Sequence, residues 1–243
     1  MSYLRVLLAF AALSCFSSEA VAQSGPLGFG EREFTQDMET DRPDFTEGTQ
    51  TVQAGHVQFE LGYTFSTDSV AGVRTTNHIA PEMLARLGLQ DDFELRITWA
   101  GYGGIDTATG NTEGVSDAGL GFKHRILDED GLPQISMIFE VTLPIGDEAF
   151  TTSDPEAAAK FLWAYGFDGW ALAGNVNFAT PSGPNGSFFE ISNSFSIGVD
   201  LTETVGAYAE YYGFYPVNEG AGPDTHFANG GLTWAASANV QLD

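Results

Sequence analysis

The chain has 243 residues, one cysteine and a formal net charge of −24. This acidity argues against a nucleic-acid-binding protein, because phosphate contacts need clustered Lys and Arg, and one cysteine excludes a small secreted domain held together by disulfides. Glycine (29 residues) and aromatic residues (13%) are abundant, which favours closely packed, twisted strands with aromatic belts.

The N-terminus has the three parts of a secretory signal peptide. Arg5 precedes a short apolar run at 6–13, and Ala20-Val21-Ala22 fits an A-x-A cleavage site. The apolar run is shorter than the roughly 20 residues that a transmembrane helix needs. We therefore predict a signal peptide at 1–22 with cleavage after Ala22. A lipoprotein signal at Cys15 is the less favoured alternative, because the residues before it match a lipobox poorly.

Residues 23–54 form a polar segment before the first predicted strand. Gly25-Pro26 and Arg42-Pro43 interrupt regular structure there. One interpretation is a periplasmic N-terminal arm that folds into a barrel lumen, where Asp41, Arg42 and Asp44 pair with charged residues. The other is a loose linker with a turn before the first strand.

The remainder of the chain alternates apolar and polar residues with a period of two. Between Val57 and Phe65, large apolar residues alternate with Gln, Glu, Gly and Thr, as expected for a strand with two different faces. No window after Ala22 holds 18 consecutive apolar residues, so no transmembrane helix is predicted. The alternation predicts about ten strands, at 57–65, 79–89, 93–99, 118–126, 135–143, 161–167, 170–178, 189–201, 205–215 and 227–234.

The polar face of these strands carries many charges, which a sandwich core could not hold, because unpaired buried charge is very costly. A hydrated or salt-bridged barrel lumen can hold them, and the apolar face then looks toward lipid. We therefore predict an all-β, transmembrane, antiparallel up-and-down β-barrel spanning 55–243. The predicted lumen-lining residues are Glu60, Glu82, Arg86, Glu94, Arg96, Lys123, Arg125, Glu140 and Lys160, and Glu190 and Glu210 share their face.

The connections between the predicted strands alternate in length, which is typical of outer-membrane barrels with tight periplasmic turns and extended outer loops. This pattern places the N-terminus in the periplasm and predicts the outer membrane of a Gram-negative bacterium as the location. The long connections are 66–77, 103–114, 144–155, 180–187 and 216–224, and the short ones are 90–92, 128–131, 168–169, 202–203 and 237–239.

Several motifs together resemble the family known as the MetA-pathway of phenol degradation. They are Thr40–Glu47 followed by Gly55–Tyr63, then Gly114–Lys123, Leu143–Gly146, and Gly231–Trp234 with Asn239–Asp243. The resemblance covers nearly all of the chain after the signal peptide. It implies an outer-membrane, porin-like barrel that passes small compounds, aromatic or hydrophobic ones among them. It implies no set of functional residues.

The C-terminal end departs from that family, whose members continue through two more strands. Here the chain stops at Asp243, although Val240 and Leu242 already begin a new alternation. Because bacterial single-chain barrels have even strand numbers, we expect a fragment of a barrel of about 12 strands. The alternative is a complete ten-stranded barrel with a short tail.

The sequence favours a transport protein over an enzyme. The four histidines are scattered and match no catalytic or zinc spacing, and the acidic residues Asp147, Glu148 and Asp154 lack an EF-hand pattern. We therefore predict no catalytic residue, metal or cofactor. The expected partners are outer-membrane lipid, a small solute and the barrel-assembly machinery, without nucleic acid. The alternatives are a structural or surface-interaction barrel, and an outer-membrane hydrolase using Ser192 or Ser194.

Overall fold

A computed structural model describes most of the chain after the predicted signal peptide. The described residues are 6–9, 33–35, 38–41, 45–70, 73–152, 154–183, 186–218 and 222–243. The predicted cleavage residue Ala22 and the arm residues Arg42 and Asp44 lie outside them. The part of the chain that the structure describes contains no helix long and apolar enough to cross a bilayer.

The regular structure of the described residues consists of β-strands. Their bounds are β1 (Val6–Ala9), β2 (Val57–Val70), β3 (Val73–Gln90), β4 (Phe93–Trp99), β5 (Tyr102–Thr107), β6 (Gly110–Val115), β7 (Ala118–Leu127), β8 (Gln134–Leu143), β9 (Glu156–Phe167), β10 (Trp170–Ala179), β11 (Ser182–Gly183), β12 (Gly186–Ser187), β13 (Glu190–Asp200), β14 (Val205–Pro216), β15 (Thr225–Ser237) and β16 (Val240–Leu242).

Nearly all strands belong to one antiparallel sheet in which chain neighbours are also spatial neighbours. The order is β1-β2-β3-β4-β7-β8-β9-β10-β13-β14-β15-β16, and the β5–β6 hairpin adds to β3 beside β4. The pairings of the described residues leave β1 and β16 at the two edges. The predicted all-β, antiparallel, up-and-down arrangement is thus confirmed.

The predicted number of ten strands is too low, because strands also form where the sequence predicted long loops. Within 66–77, β2 continues to Val70 and β3 begins at Val73; β5 and β6 occupy most of 103–114, and β11 and β12 lie in 180–187. Outside these loops, β1 lies in the predicted signal peptide, and β16 contains Val240 and Leu242, where the sequence begins a new alternation. The strand segments in the predicted loops are rich in Thr, Ser and Gly and lack one apolar face. Backbone pairing and the strand preference of Thr suffice to hold them, so a search for apolar alternation does not find them.

Two glycines adopt backbone conformations that other residues rarely adopt. Gly101, between β4 and β5, has a φ of 100°, a left-handed conformation that favours glycine. At the predicted Asp168-Gly169 turn, Phe167 pairs directly with Trp170 and Gly169 has a φ of 77°. The prediction of a two-residue hairpin at this position is confirmed.

The two faces of the sheet differ from those of a soluble protein. On the apolar face, Phe59 is 67% exposed and Leu232 is 62% exposed, whereas Glu94 and Lys123 on the polar face are fully buried. Few hydrophobic residues are buried: Val52, Leu84, Ala85, Ile138 and Leu162. Charged side chains on the polar face are therefore more buried than large apolar side chains on the opposite face.

Candidate functional site: an N-terminal arm on the charged face

The polar face of the sheet is covered by the segment before β2. We call its described residues, 33–35, 38–41 and 45–54, the arm. The arm has no helix or strand, so its peptide groups need partners from elsewhere. The sheet provides them, largely from charged side chains.

Asp41 is the centre of the contact between arm and sheet. Its carboxylate lies 2.5 Å from Arg96 Nη1, 2.7 Å from Lys123 Nζ and 3.6 Å from Arg86 Nη1, and it is nearly completely buried together with these three cations. The cations project from β3, β4 and β7, which are adjacent in the sheet. One arm carboxylate thus joins three neighbouring strands.

Carboxylates of the sheet complete the ion-pair network. Glu94 contacts Arg86 and Arg96, each at 2.9 Å, and Glu60 lies 3.1 Å from Arg86. Buried cations need such partners, because taking a charge out of water without compensation costs several kcal/mol. Arg86 and Arg96 therefore keep carboxylate contacts besides Asp41.

The same side chains satisfy the backbone of the arm. Arg86 donates hydrogen bonds to the carbonyl oxygens of Glu39 (2.9 Å) and Gln50 (2.6 Å), and Lys123 donates to that of Gly48 (2.8 Å). The backbone N–H of Val52 donates to Glu94 at 2.8 Å. The ion pairs therefore also fix the path of the arm.

Close backbone contact seats the arm on β3. A Cβ atom on Gly88 would lie 2.2 Å from the carbonyl oxygen of Gln53 and 2.3 Å from that of Val52. Gly55 also donates a backbone hydrogen bond to Gly88 at 2.8 Å. Only glycine leaves room for the arm at this position.

The electrostatic surroundings keep Asp41 ionised. Burial by itself raises the pKa of the Asp41 carboxyl, but Arg86, Lys123 and Arg96 hold this pKa far below its usual range. Opposite charges at hydrogen-bond distance favour the charged form of a carboxyl group. The contact between Asp41 and the sheet is therefore an ion pair at neutral pH.

A second anchor lies on β14. Glu210 accepts hydrogen bonds from the backbone N–H of Phe45, at 3.0 Å, and from that of Thr46. The Thr46 hydroxyl lies 2.8 Å from the hydroxyl of Ser194 on β13. The Phe45 ring stacks on Tyr212, with ring centroids 4.6 Å apart. The arm is thus held on strands far along the sheet from β3.

A third contact joins the arm to β8 and β9. Lys160 lies 3.1 Å from Glu47 of the arm and 2.7 Å from Glu140 on β8. Thr49 lies in the same region, where its carbonyl oxygen accepts a hydrogen bond from Ser136 at 2.5 Å. The arm therefore touches strands along most of the sheet.

A cavity of about 440 Å³ remains beside the arm, on the part of the polar face formed by β9, β10 and β13–β16. Met38, Glu39 and Thr40 of the arm border it. Its walls otherwise carry mostly small side chains, including Ala173, Ser196, Gly198, Gly206, Ala207 and Thr233. The arm and the ion pairs therefore fill the polar face over β2–β8. Over the later strands the arm reaches Ser194 and Glu210, and the cavity remains beside these contacts.

Comparison with known proteins identifies the family. The family model described as Putative MetA-pathway of phenol degradation matches residues 40–243. The chain belongs to this family. No curated protein matches the chain. The resemblance read from the sequence motifs is confirmed, and the match begins within the arm, at the residue before Asp41.

Seven of the predicted polar-face residues of this MetA-pathway family member meet around the arm: Glu60, Arg86, Glu94, Arg96, Lys123, Glu140 and Lys160. Arg125 also touches the arm but outside this ion-pair network, and Glu82 has another partner. Arg125 contacts Asp128 at 3.1 Å and Gln50 at 2.5 Å, at the end of the sheet, and Glu82 accepts a hydrogen bond from Thr64 at 2.8 Å.

Three residues at the site escaped sequence reasoning: Glu39, Phe45 and Glu47. They lie in the irregular arm, where no periodicity indicates which way a side chain points. Glu47 is the last residue of the motif Thr40–Glu47, which carries the family resemblance. This motif is the sequence feature that could have indicated the site. Strand parity places Glu210 on the polar face, but nothing in the sequence indicates its contact with the arm.

The residues considered for catalysis have other partners. Ser192 accepts a hydrogen bond from Asn177 at 3.2 Å, and Ser194 contacts Thr46. His78 and His226 each lie 2.7 Å from a tyrosine hydroxyl, of Tyr63 and Tyr211 respectively, on the sheet. The hydrogen bonds found for the two serines thus do not form a Ser–His pair.

Among the described residues, no group of three or more His, Cys, Asp or Glu side chains could hold a metal ion. Asp147 of the acidic connection instead accepts a backbone hydrogen bond from Val115 at 2.8 Å. Asp117 accepts hydrogen bonds from Gly146 (2.8 Å), Thr151 (2.7 Å) and Thr152 (2.8 Å). These carboxylates order the connection between β8 and β9.

Proposed function

We propose that the chain forms a transmembrane β-barrel in the outer membrane of a Gram-negative bacterium and passes small compounds, aromatic or hydrophobic ones among them. The observation that carries the proposal is the reversed distribution of polarity. Buried cations and carboxylates lie on one face, and large apolar side chains such as Phe59, Leu120 and Phe161 are exposed on the other. A bilayer is the environment in which such an apolar surface is stable.

Contacts of the arm support a sheet that curls into a barrel. The backbone N–H of Asp41 donates to Glu60 on β2 at 2.9 Å. The hydroxyl of the preceding residue, Thr40, accepts from Gln241 on β16 at 2.9 Å. Adjacent arm residues thus contact strands near opposite edges of the sheet. A flat sheet would hold these strands far apart, since each neighbouring pair adds about 4.8 Å.

The polar face then lines the lumen, and the arm lies inside it. Barrels of about 8 strands are filled by side chains, whereas those of 16 or more leave an aqueous channel. The present sheet lies between these sizes, so a narrow passage beside the arm is expected. The cavity along β10 and β13–β16 provides the space for it. Outer-membrane lipid, the solute and the barrel-assembly machinery are the partners in this proposal.

Expression with its own leader in a Gram-negative host tests the barrel. The chain should appear in the outer-membrane fraction and migrate faster on gels before heating than after it. Liposomes containing the purified protein should take up small aromatic solutes faster than empty liposomes. A soluble protein without heat-dependent migration would refute the barrel, and an inserted barrel without uptake would refute transport.

A structural barrel without transport is the second candidate. The observation in its favour is the density of ion pairs between arm and sheet, which fills the polar face over β2–β8. Under this alternative, the arm acts as a permanent internal support and the exposed connections bind a partner. The uptake measurement separates the two candidates.

A further inference from the structure

We infer that solute passes along the half of the lumen formed by β10 and β13–β16, and that Phe45 and Glu210 form the constriction that favours neutral and cationic solutes over anions. This inference rests on the proposed transport function. It adds a route, a narrowest point and a charge preference.

The route follows from where the lumen is filled. On the β2–β8 side, Arg86, Arg96 and Lys123 are at most 2% exposed, and the arm lies directly on them. On the other side, small side chains surround the cavity of about 440 Å³. A cavity of this size lies within the range of pockets that hold small organic molecules.

The position of the constriction follows from the inner face of β14. Alternate residues of a strand share a face, and on this face Tyr208 borders the cavity. Two residues further on, Glu210 holds the backbone of Phe45 and Thr46. The next inner residue, Tyr212, stacks on Phe45. A solute in the cavity must therefore pass Phe45 and Glu210 to move along β14.

Aromatic rings line the route beyond the constriction. The Phe45 ring lies edge-on to Phe214, with centroids 5.1 Å apart, and Tyr212 stacks on Phe227, also at 5.1 Å. Such a cluster gives flat, uncharged molecules a surface on which to stack. Phe45 thus lies against the inner face of β14, where the Glu210 carboxylate and the rings of Tyr212 and Phe214 border the narrowest point.

The charge preference follows from the acidic residues along the route. Glu39 and Asp200 border the cavity, and Glu210 lies at the constriction. The buried cations Arg86, Arg96 and Lys123 lie on the filled side, where carboxylates pair with them. Carboxylates along a pore favour cations and repel anions. Anionic solutes should therefore pass poorly.

Single-channel recording of the full chain in planar bilayers tests the inference. Phe45→Ala removes the ring and should raise unitary conductance several-fold, whereas Phe45→Trp should lower it. Glu210→Gln keeps the size of the side chain but removes its charge, and should shift the reversal potential in a KCl gradient toward zero. The matched controls are Phe59→Ala, at an exposed ring on the apolar face of β2, and Glu113→Gln, at an exposed residue of β6. Both should behave as wild type.

Each result bears on the route or on transport itself. The inference stands if the two Phe45 variants change conductance in opposite directions, Glu210→Gln weakens cation preference, and the controls do neither. If wild type conducts and the Phe45 and Glu210 variants match it, the route is wrong while transport stands. If inserted wild type and all variants fail to conduct, the proposed function fails and the inference fails with it.

Discussion

Replacing Asp41 by Asn should destabilise the protein mainly through Lys123. Arg86 keeps Glu60 and Glu94 as partners, and Arg96 keeps Glu94 and Glu47. Lys123 is fully buried, and beyond Asp41 its short contacts include backbone carbonyls, such as that of Gly48 at 2.8 Å. Removing one partner of a buried ion pair costs about 3–5 kcal/mol, against a total stability of about 5–15 kcal/mol for a folded domain.

Urea unfolding of the protein in detergent micelles measures this loss, with Asp130→Asn at an exposed residue as the control. The double variant Asp41→Asn/Lys123→Met removes both charges. It should recover part of the lost free energy of unfolding, because no unpaired cation remains. The reasoning is refuted if Asp41→Asn costs less than about 1 kcal/mol, the range of an exposed ion pair, or if the double variant loses the sum of both single effects.

Three further predictions concern pH, the apolar face and the ordered connection. The pKa of Asp41 is lowered in the folded protein. The ionised carboxylate therefore adds to the free energy of unfolding above the ordinary Asp pKa of about 4, and this stabilisation is lost as pH falls further. In acid titrations of unfolding, wild type should lose stability below this pH more steeply than Asp41→Asn. Phe139→Lys, at an exposed apolar residue of β8, should reduce the stability of the inserted barrel by about 2–4 kcal/mol if this position lies at the bilayer midplane, while Asp130→Lys should leave it unchanged in the same lipid-refolding assay. Asp117→Ala should free the connection between β8 and β9, because three residues there lose their hydrogen-bond acceptor; limited proteolysis should then cut at 144–155 with the sheet intact, and cleavage equal to wild type would show that Asp117 does not hold it.

The sequence predicts the sheet well where one face is apolar. Phe93–Trp99 is predicted with the bounds that the structure shows for β4, because its large apolar residues alternate strictly with Glu94, Arg96 and Thr98. β5 and β6 escape prediction, because Gly103, Thr107 and Asn111 show no such alternation and their pairing depends on the backbone. Strand parity also places Arg86 and Lys123 on the same face, because alternate residues of a strand point to the same side.

The path of the arm cannot be read from the sequence in the same way. The sequence offers Asp41 as one of three arm residues that could pair with charged strand residues, but which cations it meets depends on the curvature of the whole sheet. Phe45 and Glu210 are separated by 165 residues, and no local pattern connects them. The sequence does not predict the cavity either, because the cavity is the space that the arm leaves between strands distant in the chain.

The proposed barrel requires that the apolar face of the sheet meets lipid, and two adjacent residues of β8 test this most directly. Ile138 is fully buried and Phe139 is 40% exposed. In a Cys15→Ser background, Ile138→Cys and Phe139→Cys would each be labelled with a fluorophore, and quenching by brominated lipid would be measured. We predict strong quenching at 139 and weak quenching at 138. Equal quenching, or quenching by a water-soluble agent at 139 without quenching by lipid, would contradict the proposed barrel.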